Sequence, residues 1–301
     1  MRHPLPATGH ASVVVEPPSA QPGAWAGAPS AVVIGGATYL AYRLRRPEGQ
    51  GRGYANVIAR SVDGLHFETV AELRREDFGA DSLERPALVH TPDGKWRLYV
   101  SAATPRSKHW RVDLLEADDP AEFSAASART VLPGSELLGV KDPVVLLHDG
   151  SWHLWASVHP LDDPDNTDRM TTQYATSGDG RDWTWQGTAL AGRPEHWDQR
   201  GVRVSSVLTQ GATLLAAYDG RRNRAENWEE RTGTASGRLS GRGLFSALSA
   251  DGGRPAQSPH APHGLRYVSA VRRTDGSIGM YYEMTRADGA HELCHQSVAA
   301  A

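Results

Sequence analysis

The chain has 301 residues, enough for one large domain or two ordinary ones around a well-buried core. Its 32 Lys and Arg nearly balance 35 Asp and Glu, so no whole-molecule field points to a nucleic acid or a membrane, and electrostatic specificity has to be local. The single cysteine, Cys294, excludes an internal disulfide, the opening MRHPLPATGHASVVVEPPSAQPG lacks the apolar run of a secretory signal, and no window approaches 18 apolar residues; the expected location is cytoplasmic.

The predicted elements are short strands throughout, in keeping with 31 Gly, 19 Pro and nine each of Trp and Tyr. A first strand, SVVVE at residues 12 to 16, stands alone. Five related segments follow: APSAVVIGGATYLAYR, RPALVHTPDGKWRLYVS, DPVVLLHDGSWHLWAS, RVSSVLTQGATLLAAYDG and YVSAVRRTDGSIGMYYE. They begin at Ala28, Arg85, Asp142, Arg203 and Tyr267, spaced 57, 57, 61 and 64 residues. Each is an apolar run, a Gly-containing turn and a returning strand, the pattern of a hairpin. Later stretches such as ARSVDGLHF, ATSGDGRDW and TRADGAHEL turn at Asp-Gly into further strands, giving about four strands per copy.

Four strands at this period make a propeller blade, so the chain is predicted to be one all-β domain over residues 1–301, a five-bladed β-propeller of four-stranded antiparallel blades. The last copy is one strand short and the first strand has no blade, so the N-terminal strand is expected to complete blade five and close the ring, leaving no open edge. A two-sheet sandwich would use similar strand spacing; the five-fold register favours the propeller.

In a propeller the first strand of each blade lines the central channel. Ala28, Arg85, Asp142, Arg203 and Tyr267 are therefore expected to meet at one end of the axis, flanked by Glu84, Lys141 and Arg266. The loops joining second and third strands, RLRRPEGQGRGY, SAATPRSKHW, VHPLDDPDNTDRM and YDGRRNRAENWEER, surround that mouth with Arg, carboxylates, Trp110 and Trp228. Trp96, Trp152, Trp155 and Trp183 alternate along strands and read as wedges between blades. Asp142 also has a plain reading as a turn residue before Pro, and His291 one as a hydrogen-bonded structural histidine.

These residues carry a resemblance. The Asp-Pro before an inner strand, the S-x-DG-x-x-F/W hairpins and the polar mouth resemble the five-bladed propeller glycoside hydrolases, especially family 43 and its relatives in families 32, 62, 117 and 130. The resemblance implies an Asp general base in blade one, an orienting Asp in blade three and a Glu general acid in blade four. Asp142 matches the second, whereas Ala28-Pro29 and Arg203 stand where the other two belong. An alanine accepts no proton and an arginine releases none at neutral pH.

The catalytic candidates are accordingly Asp142, with Glu84 and Glu230 as displaced acid or base. Arg85, Lys141, Arg203, Arg221 and Arg266 would bind an anionic group, and Asp198, Asp219, Tyr267 and His291 complete the polar set. Trp228 would stack on a sugar ring. Propellers of the resembled clan often hold a cation on the axis through a His, and His260, His263 and His291 are available, but no zinc-like spacing occurs and no metal or cofactor is assigned. The expected partner is a small-molecule or oligosaccharide substrate. The function implied is that of a glycoside hydrolase-like enzyme acting on a small sugar-containing substrate, with a lyase or cyclase on the same fold, or an inactive ligand-binding propeller, as alternatives.

Overall fold

The computed structural model describes residues 2–47 and 49–299. Twenty strands and six short 3-10 turns make up its regular structure, with no α-helix among the described residues. Blade one runs through β2 (Trp25–Ile34), β3 (Ala37–Arg45), β4 (Gly53–Ser61) and β5 (Glu68–Arg74). Blade two is β6 (Leu83–His90), β7 (Trp96–Ala103), β8 (Trp110–Ala117) and β9 (Arg129–Leu132). Blade three is β10 (Leu138–His148), β11 (Ser151–Pro160), β12 (Thr171–Ser177) and β13 (Thr184–Leu190). Blade four is β14 (Gly201–Gln210), β15 (Thr213–Arg221), β16 (Arg231–Arg238) and the two-residue β17 (Ser249–Ala250). Blade five is β18 (Leu265–Arg272), β19 (Ile278–Thr285) and β20 (His291–Val298), with β1 (Ser12–Val15) antiparallel to β20 as its fourth strand. The protein is thus an all-β five-bladed propeller. One parallel bridge, Trp25 to His291, joins blades five and one into a common sheet.

Five apolar cores fill the five gaps between blades. Trp96 packs with Ile58 and Leu83 between blades one and two, and Trp155 with Val202 and Leu214 between three and four. Trp183 borders the core of Tyr99, Val112 and Leu154 between two and three. The remaining gaps hold Met280, Tyr282 and Cys294, and Leu40, Tyr281 and Leu293. Radial burial of this kind is why Trp and Tyr alternate along strands that are apolar on both faces.

The Ser-x-Asp-Gly turns are latches between blades. Asp63 Oδ1 accepts from Ser61 and from the Leu65 and His66 amides, and the Gly64 carbonyl accepts from Tyr281 Oη of blade five at 3.0 Å. Ser177, Asp179 and Gly180 repeat the device with Tyr99 of blade two at 2.7 Å. Asp149 and Gly150 both have positive φ, as a two-residue hairpin between β10 and β11 requires.

The inner hairpin of every blade carries a bulge at the same height. The ladder skips between Gly27 and Ser30, Leu83 and Pro86, Lys141 and Val144, Val204 and Ser206, and Arg266 and Ser269. Ala28, Asp142 and Tyr267 occupy one bulge position, with φ of 53°, 55° and 55°. The residue after it donates nothing to the ladder, so Pro29 and Pro143 are tolerated there. The Asp-Pro of blade three is first of all the signature of this bulge, because Asp enters left-handed backbone more readily than most residues. The same register corrects the sequence alignment by one residue in blade four: Arg203 faces Asp219 on β15 as Lys141 faces Ser157 and Arg266 faces Glu283, so Arg203 corresponds to Lys141 and Arg266 rather than to Asp142 and Tyr267.

Candidate functional site

A cavity of about 130 Å³ opens on the axis at the face carrying the long loops. Of the expected residues, Glu84, Lys141, Arg203 and Arg221 line it, and so do Trp228, Glu230, Arg266 and Tyr267. The loops add Arg52, Lys108 and Asp168, and Trp110 stands at the start of β8. Second strands contribute as well as first strands. Arg43 on β3, His159 on β11 and Arg221 on β15 all reach the cavity because strand two ends at the same mouth where strand one begins. The sequence reading included Arg43 and His159 in the stretches around this mouth without naming either as a site residue, and it left out Trp25 at the start of β2.

The carboxylates that line the cavity are fully engaged. Glu84 takes Arg43 in a tight ion pair, with Arg45 at 3.7 Å. Glu230 takes Arg266 at 2.7 Å and Arg221 at 3.0 Å. Behind them Glu283, absent from the sequence candidates, binds Arg43 at 2.8 Å, Arg266 Nε at 2.9 Å and His291 Nδ1 at 2.7 Å. The result is one continuous chain, Glu84–Arg43–Glu283–Arg266–Glu230–Arg221, crossing blades two, one, five and four. Burial alone would raise the Glu84 pKa, but Arg43, Lys141 and Arg45 override it and hold the group at about 2. Burial is likewise outweighed at Glu230 by Arg221, Arg266 and Arg203, leaving that carboxyl far below the usual range. The close neighbours of both carboxyls are cations, which favour the ionised form.

Five expected residues stand behind the lining. Asp142 is wholly buried and accepts from Arg203 and from Tyr267 Oη, both at 3.3 Å, while its own amide donates to Ser101. Asp219 receives the Arg203 guanidinium at 3.0 Å and the Tyr267 amide at 2.9 Å; burial, only partly offset by Arg203, raises its pKa. Together these two acids clamp Arg203 flat against the Tyr267 ring, 3.7 Å from its centroid. Asp198 is buried against Arg193 and Tyr218. His291 stacks on Trp25 at 4.6 Å with both ring nitrogens taken, by Glu283 and by Glu229 and Thr285. Arg85 reaches across the channel to the carbonyls of Pro29 in blade one and Ser205 in blade four. Its guanidinium separates the cavity from a second chamber of about 250 Å³ on the opposite side. Among the described residues no group of three or more His, Cys, Asp or Glu is disposed to hold a metal ion, and His260 and His263 do not line the cavity.

Charge and aromatic surface define what remains. Among the described residues seven cationic side chains line the cavity against three carboxylates, and Asp142, Asp219 and Glu283 reduce that excess only from behind. Trp25, Trp110 and Trp228 form the walls. Arg45 lies between two of them, 4.0 Å from the Trp25 ring and 4.8 Å from Trp228. Lys141 sits 4.7 Å from the Trp110 ring. A larger recess of about 510 Å³ beside blade three, walled by Leu138, Val140, Val158 and Trp185, has Arg169 as its one ionisable residue among the described lining.

This architecture is that of the propeller glycoside hydrolases. The chain is similar to a thermostable family-43 glycoside hydrolase at 13% identity, with 92% of this chain and 90% of the other covered and a TM-score of 0.69. It is similar to the GH43_1 enzyme from Xanthomonas citri, solved with xylose, at 15% identity, with 96% and 91% coverage and a TM-score of 0.68. A protein described within the GH130 family of mannoside phosphorylases, as among glycoside hydrolases that target β-1,2 mannosidic linkages in Candida mannan, matches at 14% identity over 100% and 99% of the chains, with a TM-score of 0.67. At such identities the likeness establishes the fold. No protein-family model matches the sequence, and no curated protein matches it.

Proposed function

We propose that the chain is a carbohydrate-active enzyme whose axial cavity takes a small, anionic, sugar-containing ligand. The observation that carries this reading is the buried excess of cations inside a Trp-walled cavity, on a fold shared with enzymes that act on sugars. Guanidinium groups pair bidentately with carboxylate or phosphate, and aromatic faces accept the apolar side of a sugar ring. In this reading Arg203, Arg221, Arg266 and Lys141 hold the anionic group and Trp228 packs on the ring. Asp142 and Asp219 position Arg203 and Tyr267 from behind, while Asp198, His291 and Arg85 support the scaffold. The cavity is smaller than the roughly 300 Å³ and more of a drug-sized pocket, which suits one ring or one terminal acidic residue.

Glu84 and Glu230, both held ionised by arginines, supply no proton donor. Inverting hydrolysis needs one carboxyl protonated and a second ionised, and that shortage of an acid supports the second reading, a lyase or cyclase on the same propeller. The test is a thermal-shift panel of neutral sugars, uronates and sugar phosphates, followed by turnover of aryl glucuronides and aryl glucosides with and without phosphate. Stabilisation by acidic sugars alone is expected. Preferential stabilisation by neutral sugars would refute the anionic ligand, and release of an unsaturated product in place of a hydrolysed one would select the lyase.

A further inference from the structure

One buried group on the cavity wall is unlike the rest. His159 near the end of β11 is 8% exposed, and its Nδ1 lies 2.9 Å from the Thr167 carbonyl oxygen. A carbonyl only accepts, so Nδ1 carries the hydrogen, and in the neutral ring Nε2 is a bare lone pair. That Nε2 is buried and has no partner among the described residues. The other unpartnered buried side-chain atoms on the lining, such as Trp25 Nε1, Arg43 Nε and Arg221 Nε, are N–H donors. Burial first, then Lys141, Arg221 and Arg203, hold the imidazole well below its ordinary pKa and keep it neutral.

A buried acceptor left unmatched costs free energy that a ligand recovers by donating to it. We propose that His159 Nε2 is the acceptor through which the axial site recognises a hydroxyl of its ligand. The ligand is then a hydroxylated acid: its anionic group meets the Arg and Lys donors, and a neighbouring O–H donates to Nε2. This rests on the anionic-site reading above and narrows it, because a bare anion such as acetate offers His159 nothing. It also makes His159 a specificity-determining residue, since a ring acid without hydroxyls would satisfy the guanidinium groups and leave Nε2 unmatched.

The experiment titrates D-glucuronate and cyclohexanecarboxylate, a ring acid lacking hydroxyls, into the full chain and into His159→Ala and His159→Gln by calorimetry. It is paired with ¹⁵N spectra of the histidine-labelled parent chain. The parent is expected to prefer glucuronate. His159→Ala should weaken glucuronate binding by roughly 2- to 10-fold, the worth of one neutral hydrogen bond, and leave cyclohexanecarboxylate unchanged. His159→Gln, whose Oε1 accepts, should recover part of the loss. In the spectra Nε2 should be unprotonated and should shift on adding glucuronate but not cyclohexanecarboxylate. Binding of both acids with no dependence on residue 159 and an unmoved Nε2 resonance overturns the assignment of His159 alone. Failure of both acids to bind the parent chain overturns the anionic-site reading and the ligand proposed with it. If His159→Ala does not fold, the glutamine variant and the parent spectra decide.

Discussion

Replacing Glu283 by Gln removes one charge from the middle of the buried ionic chain while keeping the side chain's shape. Glu283 is fully buried, and its carboxylate accepts from Arg43, Arg266 and His291 at 2.7 to 2.9 Å. Burial alone would favour the protonated acid, but Arg266 and Arg43 pull it well below the usual range, so the wild-type group is charged. Breaking a buried pair from one side strands the partner charge, at a cost of about 3–5 kcal/mol. An unfolding entropy of about 2.1 cal/mol/K per residue gives 301 residues ~0.6 kcal/mol/K, so Tm should fall by about 5–8 °C. The variant also leaves Arg43 and Arg266 short of one counter-charge behind the cavity. Phosphate or glucuronate should therefore raise its Tm more than that of the parent chain, because a ligand bound only by the folded state stabilises it in proportion to its affinity. Differential scanning calorimetry with and without each anion measures both effects. A Tm equal to that of the parent, or equal stabilisation of the two proteins by anions, would refute the claim that this carboxylate balances the site.

Three further outcomes follow from the same geometry. A Cβ on Gly27 would overlap the Glu283 carboxylate, so Gly27→Ala should lower Tm in the manner of Glu283→Gln, and the double variant should lose less than the sum of the two. Deleting residues 2–16 removes β1 from β20 together with the His3 contact to Ser206 in blade four, and a sharp fall in the urea midpoint is expected; an unchanged midpoint rejects a structural role for this strand. Burial lowers the pKa of His3, His153 and His295 to about 4 from 6.5, so each binds a proton in the unfolded chain before it does in the folded one. Their stabilisation is present above pH 6.5 and is lost as pH falls toward about 4; Glu84, held at about 2, adds a further loss below pH 4.5. Urea midpoints that stay flat between pH 7 and pH 5 would contradict this.

Much of the fold is legible in the chain because it is written locally. The repeat of about sixty residues, the Gly and Asp-Gly turns and the alternating aromatics are properties of neighbouring residues, and they specify hairpins and blades without reference to distant partners. The polar mouth is legible for the same reason, since long charged loops between second and third strands can only lie at one end of such a ring. The roles of single residues within that mouth are a different matter. Asp142 draws the eye in the sequence, yet it lies beneath Arg203 and Tyr267, whereas Glu283 and His159 sit in ordinary strand sequence and give no local sign of importance. Glu283 might have been suspected from its place two residues beyond Tyr281 in the second strand, the position that Arg43 and Asp219 hold in their own blades.

The amino-acid sequence by itself determined how many blades form, where they turn and which end collects charge. Only the tertiary structure decided which charged groups face the cavity, for two physical reasons. A bulge in each inner hairpin resets the side-chain alternation of a strand, so that Glu84 lines the cavity while its neighbour Arg85 borders the second chamber. Ion-pair partners such as Arg43 and Glu283 are 240 residues apart in the chain, so their ionisation is set by a meeting across blades that no local pattern records.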